Sequence, residues 1–313
     1  WASLADSFGL TRSAPITRSE LDEYLDATVR FKIFRLTVHY WEGRWLLDVR
    51  ERLKEVVNHR ANGLKVKQRR WQRRMMVTPC IVSTLYMLPK QMSGTRKDDD
   101  GNFPWEYNYN FIDLLIIDEG GLIPPELAGA SLSLAKRAVV IGDTRQIEPI
   151  QSLSCQVDMG NLHHAGLLPR DYAQDQYDHL KIMGKTVFSG SVMKAAQMLS
   201  KYHYDPEMER GMYLYEHRRC QKAIIDFCNK LCYDEKLISK RDTPSKAAFP
   251  ALGHLHIDGL CQKANGGSRY NLLEAQTIAR WLSDHRQQLE STYEKSLSDI
   301  VCVITPFGNQ TEI

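Results

Sequence analysis

Two apolar segments of the chain end in acidic and amide side chains that nucleotide chemistry can use. LLIIDE ends in Asp118 and Glu119, and AVVIGD ends in Asp143, with Gln146 three residues beyond it. Mg²⁺ prefers hard oxygen ligands, and a water that attacks a phosphate needs an acceptor beside it. The pattern predicts that Asp118 holds the Mg²⁺ shell, through water, and that Glu119 activates the attacking water. The uncharged amide of Gln146 could bond a phosphate oxygen and water, and so sense the γ-phosphate.

The elements that must position these residues are two strands and the helix between them. The runs FIDLLIID and LAKRAVVIGD are typical of buried strands, and Pro124-Pro125 can open a helix at its first turn. A strand, helix, strand crossover makes the strands parallel and brings their carboxyl ends to one edge, where ligands bind. We therefore expect Asp118 and Asp143 to meet there. For Asp118 and Glu119 alone, a solvated strand end is the alternative.

The remaining periodicity predicts an α/β protein in three parts. Residues 1–76 are rich in charge and helix formers, with a capping-box pattern at Thr17 and Glu20, and we expect a helical subdomain. Residues 77–210 hold a first α/β lobe and a less regular connecting segment, and residues 211–313 hold a second α/β lobe. Further strands are expected in PCIVSTLYMLP, MYLYE, LGHLHID and DIVCVIT.

Apolar residues at helical spacing predict two helices in the second lobe. The two stripes are Ile224, Phe227, Cys228, Leu231 and Cys232, and Ala275, Ile278, Ala279 and Leu282. Cys228 and Cys232 are therefore expected in the core rather than as metal ligands. Seven cysteines, an odd number without C-x-x-C pairs, fit reduced thiols better than disulfides or a zinc site.

Charge and hydropathy argue against a uniformly basic, a membrane-spanning or a secreted protein. Net charge is only +3 over 313 residues, so any affinity for nucleic acid must come from local basic patches. No apolar run approaches the roughly 18 residues that span a bilayer, and the first residues lack a secretory signal. We expect a cytoplasmic protein, nuclear if eukaryotic, without membrane contact. Because the chain lacks an initiator Met and ends abruptly, we expect it to be a segment of something longer.

The stretch RANGLKVKQRRWQRR is the strongest local basic patch. Its cations surround the single aromatic residue Trp71, and they are Arg60, Lys65, Lys67, Arg69, Arg70, Arg73 and Arg74. Such a pattern can track a phosphate backbone while the ring stacks on a base. The alternative is a solvated basic helix whose Trp71 packs inward.

Four segments in order carry a resemblance to a known family: IIDEGG, VVIGDTRQIEP, YLYEHRRCQKAIIDFCNKLCYDEKL and VITPFGNQ. Their order and spacing resemble superfamily 1 helicases of the 5′-to-3′ branch, related to the nonsense-decay and Okazaki-processing helicases. The resemblance covers residues 79–313. It implies two RecA-like lobes of the P-loop NTPase type, both partial here, with ATP in the cleft and single-stranded nucleic acid across both lobes.

The resemblance also implies roles for single residues in the first lobe. Asp118 and Glu119 match the Walker B pair, which serves Mg²⁺ and the attacking water. Gln146 matches the glutamine of the third helicase motif. Asp143, at the start of the same motif, is placed in the ATP site.

Two arginines in the second lobe complete the implied ATP site. In EHRRC, Arg219 matches the family's phosphate-contacting arginine, and Arg218 stands where the family usually has an aromatic residue. Independently of the resemblance, a guanidinium from a second lobe stabilises charge that develops on the γ-phosphate, an effect worth about 10³ to 10⁵ in rate. The alternative is that both arginines extend a charged loop.

Nucleic-acid contacts are implied at a strand end in each lobe. Ser83 and Thr84 match such a segment in the first lobe, and Thr305 and Gln310 match its counterpart in the second. Hydroxyls that bind phosphate without reading bases suit movement along any sequence. The implied partner is single-stranded nucleic acid, DNA favoured over RNA, and the protein is expected to be a monomer.

The half of an ATP site that wraps the phosphates is missing from these residues. A phosphate loop has the form G-x-x-x-x-G-K-[ST], but Gly184-Lys185-Thr186 has His179 in place of the first Gly and follows the acidic strand. We therefore expect a central fragment of an ATP-dependent helicase that is inactive alone. The alternative is a non-catalytic helicase-like module that binds nucleic acid or a partner.

Overall fold

A computed structural model describes residues 17–54, 61–150, 153–169, 173–242, 244, 246–263 and 267–312. These residues form α-helices and short strands, so the α/β class is confirmed. The chain divides into two compact units, Trp1–Arg210 and Gly211–Ile313. In the part of the chain that is described, no helix is long and apolar enough to cross a membrane.

The first unit begins with the helices that its composition predicts. Helices α1, α2 and α3 are Arg18–Leu25, Phe31–Arg52 and Leu64–Val77, and a π-helical turn, Asp26–Arg30, joins the first two. The expected capping box is present, because the Thr17 hydroxyl accepts from Glu20 N and Thr17 N donates to Glu20 Oε2 at 2.9 Å. Arg73 on α3 forms an ion pair with Asp48 on α2 and so joins these two helices.

A short helix and a hairpin follow where the sequence predicted a strand. The prediction of a strand in PCIVSTLYMLP is wrong, since residues 79–84 are irregular and largely exposed. Val82, for example, is 98% exposed, and the described sheets include no strand from this segment. The chain instead forms α4, β1 and β2, which are Leu88–Gln91, Ser93–Thr95 and Trp105–Tyr107, the two strands being antiparallel.

The strand, helix, strand crossover is confirmed. β3, α5 and β4 are Leu115–Ile117, Pro125–Leu132 and Ala138–Val140, and the strands pair in parallel with Ile116 opposite Val139. The helix begins at Pro125, because the missing N–H of a proline costs nothing in the first turn. Ile117 on β3, Ala128 on α5 and Val192 form one buried cluster of the first unit, and Leu88, Met92 and Leu134 form another.

The segment after β4 is more regular than predicted. It contains α6, α7 and α8, which are Cys155–His164, Ala173–Ile182 and Val192–Leu199. Asp158 is 2% exposed, and its Oδ2 accepts from Tyr177 Oη at 2.9 Å and from Phe188 N at 3.1 Å. Burial, followed by contacts with Cys155 and Asp158, raises the pKa of Tyr177, so the phenol stays a donor. Asp158 thus ties α6 to α7 and to the loop before α8.

Among its described residues, the second unit contains two small sheets and one long helix. The parallel pair is β5 and β6, Glu216–His217 and Ile238–Ser239, and the antiparallel pair is β7 and β8, Gln262–Lys263 and Arg269–Tyr270. The helices are α9, Lys222–Cys228, extended by the π-helical turn Asn229–Tyr233, then α10, Leu272–Tyr293, and α11, Leu297–Ile300. Both predicted helices are present.

Three details of the second unit differ from the predictions. Residues 252–258 and 299–305 contain no strand, and an apolar residue such as Ile304 is 89% exposed there. In MYLYE only the last residue lies in a strand. On α9 the buried residue is Ile225, which is not part of the predicted stripe, and Asn229 is buried in the π-helical turn. Cys228 and Cys232, which were expected in the core, are half-buried.

Each sheet among the described residues has two strands. Two of these pairs are parallel, one in each unit, and both end next to residues that the sequence assigned to a nucleotide site. The RecA-like architecture, which requires these pairs to belong to wider sheets, stays a prediction.

Candidate functional site

The carboxyl ends of β3 and β4 lie side by side at the edge where the sequence places its acids. Beyond the strands, Ile141 N donates to Ile117 O at 2.8 Å, and Gly120 N donates to Ile141 O at 2.7 Å. These hydrogen bonds continue the contact between the two chain segments past the last paired residues. The segment of Asp118 and Glu119 is therefore held beside the residues that follow β4.

Three glycines allow this close approach. A Cβ atom on Gly121 would lie 2.5 Å from Asp143 O, and one on Gly142 would lie 2.7 Å from Gly121 N. A Cβ atom on Gly120 would lie 2.5 Å from a methyl group of Val140. Because side-chain rotation cannot relieve a contact with a backbone atom, any larger residue at 121 or 142 would push the segments apart. The glycines thus hold the segment that directly follows Asp118 and Glu119 against the backbone of Gly142 and Asp143.

Glu119 has a backbone conformation that residues with a side chain rarely adopt. Its φ of 53° and ψ of 39° lie in the left-handed region, which costs such a residue about 1 to 2 kcal/mol. Its carboxylate is exposed and makes no hydrogen bond or ion pair with the residues that the structure describes. Strained backbone clusters at functional sites. This strained residue presents a carboxylate that a ligand can use.

Asp143 organises the loop that carries Gln146. Its Oδ1 accepts from Arg145 N at 2.8 Å, and its Oδ2 accepts from Gln146 Nε2 at 3.1 Å. The Gln146 side chain is exposed, and its Oε1 has no donor among the described residues. The amide is therefore oriented by the acid while its oxygen can accept a hydrogen bond from water.

Helix α8 supports both segments. Lys194 Nζ lies 2.6 Å from Glu148 Oε1, two residues after Gln146. At the start of the helix, Val192 N donates to Ile123 O at 2.9 Å, and Ile123 follows the first acidic segment closely. Helix α8 is thus anchored to the chain just after each of the two segments that carry the candidate residues.

The residues fit a Mg²⁺ ion that is held mainly by phosphate and water. Across the described ranges, no three histidine, cysteine or acidic side chains come together as a metal site. Mg²⁺ bound with a nucleotide needs only one or two carboxylates and keeps several waters. Asp118 is exposed, and its Oδ1 accepts from Glu119 N at 3.0 Å. Its Oδ2 remains to contact the ion through water.

Arg218 and Arg219 directly follow β5 in the second unit. Arg218 Nη2 lies 2.6 Å from Glu216 Oε2, and this hydrogen bond is the main reason that the pKa of Glu216 lies below its usual range. The Arg219 carbonyl accepts from the Arg241 side chain. The Arg219 guanidinium itself is exposed and unpaired among described residues. Arg219 is therefore the more available cation of the two.

Three of the expected phosphate contacts are hydroxyls in turns. Ser83 Oγ donates to Thr84 O at 3.2 Å, and Thr84 Oγ1 accepts from Met87 N at 3.3 Å. Thr305 Oγ1 accepts from Phe307 N at 3.3 Å. A hydroxyl that accepts a hydrogen bond can still donate its own proton. Both threonines can therefore donate to a phosphate without losing these contacts.

Gln310 is engaged within the protein. Its Oε1 accepts from Asn271 N at 2.6 Å, and its Nε2 donates to Asn271 O at 3.1 Å. Asn271 is buried and caps α10, its side chain accepting from Glu274 N. Gln310 thus pins the start of α10 to the helical turn Gly308–Glu312, and both ends of its amide are occupied.

The basic residues of α3 have different surroundings. The Trp71 ring is half-buried and packs inward against Leu88, Met92 and Leu134. Arg73 forms the ion pair with α2, and Arg70 is half-buried and has contacts of its own. Arg69 is exposed and can reach a phosphate. Arg60 lies outside the described residues.

Two features of this site were missed by reasoning from the sequence. The glycine contacts and the pair of Lys194 with Glu148 join distant parts of the chain, 46 positions apart for the ion pair. No local periodicity reports such contacts. The available signal was the glycines beside both acidic segments, since glycine permits close approach of a backbone.

No protein-family model matches this chain, and no curated protein matches it significantly.

Proposed function

We propose that the chain belongs to an ATP-dependent nucleic-acid helicase or translocase, in which ATP hydrolysis drives movement on a single strand. One observation carries the proposal: the glycine contacts hold the segment that follows Asp118 and Glu119 against the backbone of Asp143, where the loop of Gln146 begins. A metal-binding carboxylate, an unpaired carboxylate and an oriented amide at one sheet edge meet the needs of γ-phosphate hydrolysis.

Each of these side chains has a separate role. Asp118 holds a water of the Mg²⁺ shell, and bound Mg²⁺ neutralises charge on the phosphates. Glu119 accepts a proton from the attacking water, since its carboxylate has no competing partner among the described residues. Gln146, oriented by Asp143, accepts a hydrogen bond from that water and reports the presence of the γ-phosphate.

Arg219 is proposed to contact the γ-phosphate and to stabilise its developing charge. Its exposed guanidinium supports this role, whereas Arg218 is engaged by Glu216. Arg218 is proposed to keep the Arg219 turn in shape through that ion pair.

The proposed partner is single-stranded nucleic acid, with DNA favoured over RNA, bound by a monomer. Thr84 and Thr305 would donate to backbone phosphates, Ser83 would do so by giving up its hydrogen bond to Thr84 O, and the exposed Arg69 would add a positive charge. None of these groups reads a base edge, so the contacts suit any sequence.

ATP hydrolysis with and without a single-stranded oligonucleotide tests this function. We expect the strand to stimulate hydrolysis by the full-length natural protein, and Asp118→Asn to reduce it at least about 10²-fold. Asp113→Asn, which alters an exposed acid at the other end of β3, is the matched control.

The 313 residues alone, which contain no phosphate-loop motif, are expected to bind the single strand without hydrolysing ATP. Strand binding without hydrolysis by the full-length protein would favour the non-catalytic alternative.

A further inference from the structure

A hairpin in the first unit carries a row of exposed aromatic side chains that the proposed ATP chemistry does not use. This aromatic hairpin, residues 93–109, contains β1, β2 and the loop between them. Its exposed rings alternate with other residues along the chain and are Phe103 at 63% exposure, Trp105 at 58%, Tyr107 at 44% and Tyr109 at 62%. Contiguous exposed apolar surface of this kind marks binding sites.

The strand register puts three of the rings on one face. Trp105 and Tyr107 are two residues apart on β2, and alternate residues of a strand share a face. Backbone hydrogen bonds continue the same pairing into the loop, so Phe103 joins them and Lys97 lies directly opposite Phe103. The face therefore combines three rings with a cation.

The opposite face of the aromatic hairpin packs on protein. Asn108 is 2% exposed, and its Oδ1 accepts from Gln68 Nε2 on α3 at 2.8 Å. A Cβ atom on Gly94 would lie 2.8 Å from the Cα of Leu64, at the start of the same helix. Since α3 covers this side, the rings on the other face remain exposed to solvent.

The rings do not cover one another. The centroids of Tyr107 and Tyr109 are 6.1 Å apart with an interplanar angle of 53°, which is a tilted contact and not a stack. Successive side chains on one face of a strand are about 6.5 to 7 Å apart. Each ring can therefore hold a separate planar group, which is how single-strand-binding proteins bind successive bases.

Two lysines border the row of rings. Lys67 Nζ donates to Ser93 O at 2.6 Å and lies 5.0 Å from the centroid of the Trp105 ring. Burial, together with the charge of Arg70, lowers the pKa of Lys67 below its usual value. A phosphate beside Lys67 would offset the repulsion between the charges of Lys67 and Arg70. Lys97 is exposed at the other end of the row.

We propose that the aromatic hairpin is a stacking platform for single-stranded nucleic acid, with bases on Trp105 and Tyr107 and phosphates near Lys67 and Lys97. Stacking tolerates any sequence, because every base has a π face. A duplex keeps its bases paired inside the helix, so the platform selects single strands. It needs no ATP chemistry, and it shares with the proposed function only the expectation that the chain binds a single strand.

The acidic tip of the aromatic hairpin limits the path of the bound nucleic-acid strand. Asp98 Oδ1 accepts from Asn102 N at 2.6 Å and shapes the turn, while Asp99 and Asp100 are exposed beside it. Their negative charges repel phosphate, so the strand leaves the platform before the tip. Asp99→Asn combined with Asp100→Asn is expected to tighten binding several-fold at low salt and less at high salt. Unchanged affinity would place the strand elsewhere.

Fluorescence anisotropy of a labelled oligo-dT strand with the purified chain tests the platform. Trp105→Ala with Tyr107→Ala is expected to weaken binding at least about 10-fold. The matched control, Tyr40→Ala with Trp41→Ala, removes an exposed pair of the same types from α2 and should bind like the wild type. Trp105→Phe with Tyr107→Phe keeps both rings and should retain most of the affinity, which separates stacking from misfolding.

The outcomes separate the platform from the proposed function. If the alanine variant binds as tightly as the wild type, the platform is wrong and the proposed function stands. If the wild-type chain binds no oligonucleotide, the platform is wrong and the aromatic face becomes a surface for a protein partner, while strand-stimulated ATP hydrolysis by the full-length protein still decides the proposed function. Photocrosslinks from a 5-iodouracil strand to Trp105 or Tyr107 would support the platform, and crosslinks confined to other residues would overturn it.

Discussion

Gln146 Nε2 donates a hydrogen bond to Asp143 Oδ2 over 3.1 Å, and the other oxygen of the same carboxylate accepts from Arg145 N at 2.8 Å. One acid thus shapes its own turn and orients the amide three residues further on. The two side chains act as a unit, because loss of Asp143 would release Gln146. The unit lies against Gly121, so its position is set by the end of β3.

Replacement of Gly142 by Ala tests this close contact. The new Cβ would lie 2.7 Å from Gly121 N, so we expect the free energy of unfolding to fall by about 1 to 3 kcal/mol. The control is Gly129→Ala on α5, where nothing lies within 4 Å. That change should be neutral or stabilising, by up to about 1 kcal/mol. Urea denaturation compares them, and equal effects would mean that the strand ends are not in contact.

The elements of the site that could be predicted are those with a local signal. Two apolar runs predict the strands β3 and β4, and Pro125 predicts the start of a helix. Both strands and the helix are present. Equally apolar runs at 79–89, 252–258 and 299–305 form no strand. A strand needs a neighbour with which to pair, and composition does not say whether the neighbour is there.

The contacts that complete the site could not be predicted from local patterns. Lys194 and Glu148 are 46 residues apart, and only the fold brings α8 against the Gln146 loop. Likewise, the stripe on α9 assumed a uniform helix, but a π-helical turn begins at Asn229, and Leu231 within it is exposed. Neither effect leaves a periodic trace in the sequence.

Glu119→Gly should relieve backbone strain while it removes the carboxylate. The left-handed conformation at φ 53° costs a side-chain-bearing residue about 1 to 2 kcal/mol, whereas glycine adopts it freely. We expect Glu119→Gly to be more stable than Glu119→Ala by about 1 kcal/mol in chemical denaturation, although both variants lose the carboxylate. A less stable glycine variant would show that this conformation is not a source of strain.

Lys194→Met should disturb the position of the Gln146 loop without preventing folding. The ion pair with Glu148 is partly exposed, so the free energy of unfolding should fall by no more than about 1 kcal/mol. In the full-length protein we expect the kcat of strand-stimulated ATP hydrolysis to fall several-fold, with little change in the KM for ATP. Lys194→Arg should restore kcat, because it keeps the charge. A methionine variant with normal kcat would remove Lys194 from this role.

The most direct test of the central claim separates ATP binding from ATP hydrolysis at Glu119. In the full-length natural protein with bound single strand, single-turnover hydrolysis by Glu119→Gln is compared with the affinities for ATP and for the strand. The amide has nearly the same shape but cannot accept the proton of the attacking water. We predict that hydrolysis falls about 10² to 10⁴-fold while both affinities are retained. Hydrolysis at the wild-type rate would contradict the assignment of Glu119, and with it the account of this site.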